Sequence, residues 1–310
     1  CADPLLYSST GAGKGEDWRM MMTMVPTQNV VEMTGHSTGH TTGPGESSGP
    51  TSDGSQGAML HPGSSQVSWK ARVGAAVADA APSLVLFTIA MLGRLVDPYV
   101  RPVSDYANGP PISLSNDEEL VSTGLAILYS YVLPMVLILL LCLASKTDWI
   151  EALLGLFEVV AFNEFFTTFT KKIAGSLRPS FLAMCQWNGE GCDASNSKAM
   201  SSRQSFPSGH ASNAFAGLTY LVLVTHLLLS LLRDKHAKWC PPSTVRALSS
   251  LPLLLAGWIA VSRTRDYHHR FEDIAAGAAI GAVCACVGFY SRAPALLTSV
   301  GGKFWGRLSS

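Results

Sequence analysis

Charged residues are scarce in this sequence of 310 residues. They make up 14% of the chain, whereas roughly 25% is usual in soluble proteins, and hydrophobic residues make up 47%. Acidic and basic residues number 22 each, so the formal net charge is zero and no basic excess favours nucleic acid as a partner. The mean hydropathy of +0.24 favours a lipid environment instead. This composition argues against a soluble enzyme.

Apolar runs are missing from the first part of the chain. Residues 1–66 carry Gly, Ser, Thr, Met and scattered His, with no apolar residues at helical or strand period. Such a segment cannot bury enough apolar surface to offset the entropy cost of ordering it. We therefore expect a disordered Gly/Ser/Thr-rich tail at 1–73, a membrane domain at 74–292 and a short cytosolic tail at 293–310.

Six apolar segments follow, and a helix needs about 20 residues to cross the hydrocarbon core of a bilayer. The segments are Ala75–Leu95, Leu120–Ala144, Trp149–Thr170, His210–Leu232, Ala247–Val261 and Phe271–Tyr290. The first contains Asp79 and Pro82 and the fifth is short, yet six is the simplest count. Basic residues flank alternate ends of the segments, which places both termini in the cytosol. The predicted fold is an all-α bundle of six transmembrane helices.

Two polar loops between the predicted helices contain several charged residues. The loop between the third and fourth predicted helices contains Lys171 and Arg178 and ends in Pro207–His210, whereas Ser262–Arg270 joins the fifth and sixth. Two helix crossings separate these loops, so both emerge on the same face of the membrane. Their charged side chains can therefore meet.

The charges of the two loops predict a phosphate site. Lys171, Arg178 and Arg263 bring three cations to the end of an uncharged bundle, and the planar donor fork of Arg matches tetrahedral oxyanions. Ser208 and Gly209 directly precede the fourth predicted helix, where free backbone N–H groups and the helix dipole favour an anion.

Two histidines flank the predicted anion. His210 opens the fourth helix and His269 comes from the other loop, so one ring can attack while the other protonates the leaving oxygen. Asp273 follows His269 at i+4 and can accept a hydrogen bond from its ring, which would fix the tautomer. In catalytic triads a carboxylate likewise orients the histidine.

These residues resemble the three-part signature of the type 2 phosphatidic acid phosphatase superfamily over about residues 75 to 292. The chain is most similar to eukaryotic lipid phosphate phosphatases, through Arg178–Leu182 and the pair Asp266-Tyr267. The resemblance implies an integral membrane phosphohydrolase that needs no magnesium or other metal, with its active site facing the lumen or exterior. The expected substrates are phosphatidic acid and related lipid phosphates, such as lysophosphatidic acid or diacylglycerol pyrophosphate.

The resemblance also implies roles for the site residues. His269 becomes the nucleophile that forms a phosphohistidine, Asp273 orients it, and His210 protonates the leaving group and then activates water. The phosphoryl oxygens are held by Lys171, Arg178, Ser208, Gly209 and Arg263. The expected location is the endoplasmic reticulum, vacuolar or plasma membrane.

The chain departs from the usual pattern of the superfamily beside these residues. Ser176 and Ser180 replace commoner residues in the first motif, and Arg270 follows the nucleophile where a second His is common. The extra histidine here, His268, comes before the nucleophile, and we interpret it and Arg265 as solvated loop residues. The departures leave the substrate preference open.

Seven cysteines leave at least one thiol unpaired. Cys185 and Cys192 lie in the loop assigned to the lumenal side, where an oxidising environment would allow a disulfide between them. The sequence permits this bond without requiring it.

Other functions fit parts of the pattern. A vanadate-dependent haloperoxidase uses the same set of residues, but six apolar spans argue against one. A phosphatase of sphingosine phosphate or dolichyl diphosphate, or a head-group phosphotransferase, would share the whole site. A transporter or a catalytically dead scaffold remains the non-enzymatic alternative, although a dead relative would be expected to lose His210 or His269.

Overall fold

The computed structural model describes residues 69–114, 119–192, 196, 198–235 and 241–308. Within these ranges the regular structure is helical and contains no β-strand. The predicted tail at 1–73 lies outside the described residues up to residue 68.

Six long helices account for the six predicted spans. They are α1 (Trp69–Gly93), α2 (Thr123–Ser145), α3 (Trp149–Ala174), α4 (Gly209–Lys235), α5 (Pro242–Arg265) and α6 (Phe271–Leu308). Each contains a segment that is long and apolar enough to cross a membrane. The predicted all-α fold with six membrane-spanning helices is confirmed.

The first and last helices extend beyond the predicted boundaries of the membrane domain. Helix α1 begins at Trp69 within the predicted tail, because residues 69–73 contain no helix breaker. Helix α6 continues to Leu308 through the predicted boundary at 292 and contains Pro294. A proline removes a single backbone hydrogen bond, and the Ala and Leu residues around this one favour continuation of the helix. The predicted C-terminal tail is thus helical up to Leu308.

Helix α4 lies at the centre of the bundle and packs against α2, α3, α5 and α6. Two glycines permit its closest approaches. A side chain at Gly281 of α6 would meet the backbone of α4 at Ser212, and one at Gly217 of α4 would meet the carbonyl oxygen of Ser130. Ser130 lies in a π-helical turn of α2, Leu128–Val132. Small residues thus fix the position of α4, whose first residues reach the predicted site.

The carboxylates of α3 are paired inside the bundle or at its surface. Arg292 of α6 forms salt bridges with Glu158, Glu151 and Asp79 and thereby joins α1, α3 and α6. Nearer the other end of α3, Glu164 contacts Arg94 at 2.5 Å. These pairs explain how a membrane-spanning helix tolerates three glutamates.

Candidate active site

The residues predicted for the phosphate site meet at one end of the bundle. They come from the end of α3, the loop 175–208, the start of α4, the end of α5, the loop 266–270 and the start of α6. An Arg263 guanidinium nitrogen lies 3.4 Å from Nε2 of His210, and Gly209 lies beside the Lys171 side chain. The two polar loops are therefore in contact, as their topology predicts.

The segment before α4 is fixed against α6. The backbone N–H of Ser208 donates to the carbonyl oxygen of Asp273 at 2.9 Å, and Ser208 Oγ accepts from the N–H of Ala211 at 3.4 Å. Lys171 donates from Nζ to the carbonyl oxygen of Gln204 at 3.0 Å. The start of α4, the end of α3 and the start of α6 are thus held together around one point.

His269 lies in a closed environment beside Asp273. Its Nδ1 is 3.7 Å from Asp273 Oδ2, close but beyond hydrogen-bonding distance, and has no hydrogen-bond partner among the described residues. Asp273 Oδ2 instead accepts from Ser205 Oγ at 2.6 Å and from the N–H of Arg270 at 2.8 Å. Ser205 is a contact that the sequence pattern did not indicate.

Burial and the neighbouring cations favour the neutral form of His269. Burial lowers its pKa well below the ordinary value, and the positive charges of Arg178 and Lys171 lower it further. The ring is therefore unprotonated at neutral pH, as a nucleophile must be.

The two arginines lie close enough to repel each other. Burial, and then the charge of Arg263, lowers the pKa of Arg178 to about 10. Arg263 is fully buried and bonded to Asp266, yet the Nε atoms of both arginines have no hydrogen-bond partner within the described part of the chain. Buried donors and unbalanced positive charge of this kind are suited to an anion.

His268 departs from the expectation of a solvated loop residue. It is 5% exposed, and its Nε2 lies 2.9 Å from Oε1 of Glu119, which belongs to the loop between α1 and α2. Burial, followed by the charges of Arg178 and Arg263, lowers the pKa of His268 to about 3. The interpretation of His268 as solvated was wrong because the α1–α2 loop covers it, whereas Arg265 is exposed as expected.

A polar cavity of about 510 Å³ opens beside these residues. It is lined by Glu119, Thr123, Arg178, Ala183, Met184, Gln186, Asn196, Lys198, Ser201, His210 and His268. The cavity gives a polar ligand access to Arg178, His210 and His268, whereas Arg263 and His269 are not among its lining residues.

A disulfide joins Cys185 to Cys192 at the edge of this cavity. It follows the one-turn helix Phe181–Cys185, and the Arg203 guanidinium lies 5.0 Å from the ring centroid of Phe181. These contacts order the loop that carries Arg178. The thiols of Cys142, Cys284 and Cys286 are free and lie in helices.

Comparison with known proteins agrees with this geometry. Residues 152–295, which hold all the predicted site residues, match the PAP2 superfamily. This matched region belongs to the PAP2 superfamily. With six candidate spans, the chain is a multi-pass membrane protein.

Curated PAP2 relatives are enzymes of lipid phosphate metabolism by name. Diacylglycerol pyrophosphate phosphatase 1 of Saccharomyces cerevisiae is 35% identical over 193 residues, which cover 56% of this chain and 64% of that protein. Lipid phosphate phosphatase 1 of Arabidopsis thaliana is 31% identical over 170 residues, or 51% of this chain and 50% of the relative. The chain thus spans less than two thirds of these relatives. No solved structure gives a significant match.

Proposed function

We propose that the chain is an integral membrane lipid phosphate phosphatase that hydrolyses phosphatidic acid or related lipid phosphates. The observation that carries the proposal is the meeting of Arg178, Arg263, His210 and His269 at one end of a six-helix bundle. The names of the PAP2 relatives support the same class of substrate.

The proposed reaction proceeds in two displacements at phosphorus. His269 Nδ1 approaches Asp273, so Nε2 attacks the phosphoryl group, and a P–N bond forms as the P–O bond to the lipid breaks. His210 protonates the departing oxygen. It then takes a proton from water, which attacks the phosphohistidine and releases inorganic phosphate and neutral His269.

Cationic side chains stabilise the charge of the transferring phosphoryl group in this proposal. Arg178, Arg263 and Lys171 come from three different segments, and the backbone N–H of Gly209 lies at the start of α4, whereas that of Ser208 already donates to Asp273. Within the described ranges, no three His, Cys, Asp or Glu side chains converge as metal ligands would. We therefore expect turnover without magnesium.

The decisive experiment measures phosphate release by the purified protein in detergent with EDTA present. The panel contains phosphatidic acid, lysophosphatidic acid, diacylglycerol pyrophosphate, sphingosine phosphate and dolichyl diphosphate. We expect release from at least phosphatidic acid, and loss of activity in His269→Ala and His210→Ala. His226→Ala is the matched control, because His226 lies within α4 and contacts Ser249 at 3.3 Å. A strict requirement for magnesium, or full activity in either site variant, would refute the proposal.

A further inference from the structure

One of the residues that line the cavity at the phosphate site carries a carboxylate, whose negative charge disfavours the binding of a phosphate anion. Glu119 lines the cavity together with Arg178 and His210. A negative side chain at this position repels a phosphate group and competes with it for the cations. Neither the proposed phosphoryl transfer nor the family signature in this sequence assigns a role to Glu119.

Two contacts, one by Glu119 and one by the next residue, join the α1–α2 loop to the loop between α5 and α6. Its Oε1 lies 2.9 Å from His268 Nε2. The next residue, Leu120, donates its N–H to Asp266 Oδ2 at 3.0 Å, and Asp266 is also the ion-pair partner of Arg263. The backbone beside Glu119 is thus anchored to the site even when its side chain turns away.

The His268 ring is oriented towards Glu119 by its other nitrogen. Nδ1 lies 3.1 Å from the carbonyl oxygen of Asp266, so both ring nitrogens face oxygen atoms. A neutral imidazole has one N–H to donate, so at most one of these two contacts is a hydrogen bond at a time. The contact is therefore a polar one that an incoming phosphate oxygen can replace.

The exposed fractions of the Glu119 and His268 side chains indicate which of the two lies nearer the opening of the cavity. The Glu119 side chain is 42% exposed, whereas that of His268 is 6% exposed. Glu119 therefore stands at the mouth and covers His268, while Arg178 and His210 line the same cavity.

We propose that Glu119 caps the phosphate pocket and occupies His268 until a phosphate group displaces it, and thereby lowers the affinity of the site for phosphate. The inference rests on the proposed function for the identity of the ligand. Glu119 weakens the binding of every phosphate anion, including the released product, and it takes no part in bond breaking. Glu119 therefore raises KM for the lipid phosphate, and it also keeps inorganic phosphate from saturating the site.

Binding of orthovanadate tests this role without turnover. Isothermal titration in detergent compares the unaltered protein with Glu119→Gln, which removes the charge and keeps the shape. We expect about 3- to 10-fold tighter binding to the variant, as for the loss of one like charge several ångströms away in a solvated pocket. Glu119→Asp retains the charge and should bind no more tightly than the unaltered protein.

Glu190→Gln is the matched control for net charge, since Glu190 is exposed on the same loop as the disulfide and does not line the cavity. It should leave vanadate affinity unchanged. With phosphatidic acid as substrate, Glu119→Gln should lower KM by a similar factor at unchanged kcat. The unfolding midpoint without vanadate verifies that each variant is folded, and Glu119→Ala provides a second neutral variant.

The outcomes separate the two proposals. No vanadate binding by the unaltered protein would overturn the proposed phosphate site itself. Vanadate binding by the unaltered protein, with equal or weaker binding by both neutral variants, would overturn the role of Glu119 alone.

Discussion

At the scale of single residues, the contacts of Arg270 indicate that it positions Arg178. Its guanidinium donates to the carbonyl oxygens of Leu177 at 2.8 Å and Pro111 at 3.3 Å, and its Cζ lies 5.6 Å from the ring centroid of Tyr106. The Tyr106 hydroxyl accepts from the N–H of Leu177 at 3.1 Å. Both polar groups of Leu177 are therefore bonded, and the peptide that leads into Arg178 is fixed next to His269.

Replacing Arg270 by Ala should therefore displace Arg178 without removing any group of the proposed chemistry. We expect kcat/KM for phosphatidic acid to fall about 10- to 100-fold, as for the loss of one or two hydrogen bonds from a charged donor. Most of the loss should appear in KM and in vanadate affinity. Arg270→Lys retains the positive charge but lacks the planar guanidinium, and it should recover part of the lost kcat/KM.

Arg265→Ala is the control for Arg270→Ala. Arg265 is the last residue of α5, close in sequence to Arg270, and is exposed. It should keep full activity and vanadate affinity. Equal losses in the two variants would mean that the local positive charge matters and the positioning of Arg178 does not.

The sequence carries only part of this residue-level detail. Spacing and order brought Arg178, His210, Arg263 and His269 into one predicted site, because each lies at the end of a recognisable span. Leu120 and Asp266 are 146 residues apart, and no local pattern relates them. The burial of His268 depends on that same long-range contact, so its environment could not be read from neighbouring residues.

At the scale of helices, apolar runs predicted which segments cross the membrane but not where each helix ends. The fifth run was predicted at Ala247–Val261, whereas α5 spans Pro242–Arg265. Its first turns contain proline and serine and its last turn contains Arg263, so the helical ends are polar and lie outside the apolar run. A hydropathy pattern detects the hydrocarbon-facing part of a helix and misses the part that reaches the site.

The π-helical turn of α2 and Gly217 of α4 give a prediction at this scale. A Cβ at Gly217 would overlap the carbonyl oxygen of Ser130, so Gly217→Ala must push α2 and α4 apart. Overpacking of this kind costs about 1–3 kcal/mol. We expect a lower unfolding midpoint in detergent, and reduced activity because α4 carries His210.

Gly257→Ala provides the matched control for Gly217→Ala. Gly257 lies in α5 with no atom within 4 Å of its added Cβ. The substitution should leave the midpoint unchanged or raise it, since Ala favours helix over Gly by about 1 kcal/mol. A midpoint for Gly217→Ala equal to that for Gly257→Ala would contradict the packing role assigned to Gly217.

At the scale of the whole molecule, charge is divided between the two ends of the bundle. A formal net charge of zero conceals a cationic site at one end and the cluster of Arg292 with three carboxylates nearer the other. The site end holds the loops after α1, α3 and α5, so these three loops share one side of the membrane. We propose that this side is lumenal or extracellular and that both termini are cytosolic, as the flanking basic residues favour.

Labelling of single cysteines in sealed microsomes tests this orientation. Asn108→Cys lies in the α1–α2 loop and Ser243→Cys at the start of α5, and both positions are exposed. With Cys1 and Cys240 replaced by serine, an impermeant maleimide should label Ser243→Cys directly. It should label Asn108→Cys only after detergent opens the vesicles, because the site side faces the lumen. The reverse pattern would place the phosphate site in the cytosol, where the charge distribution and the disulfide-bearing loop would lose their explanation.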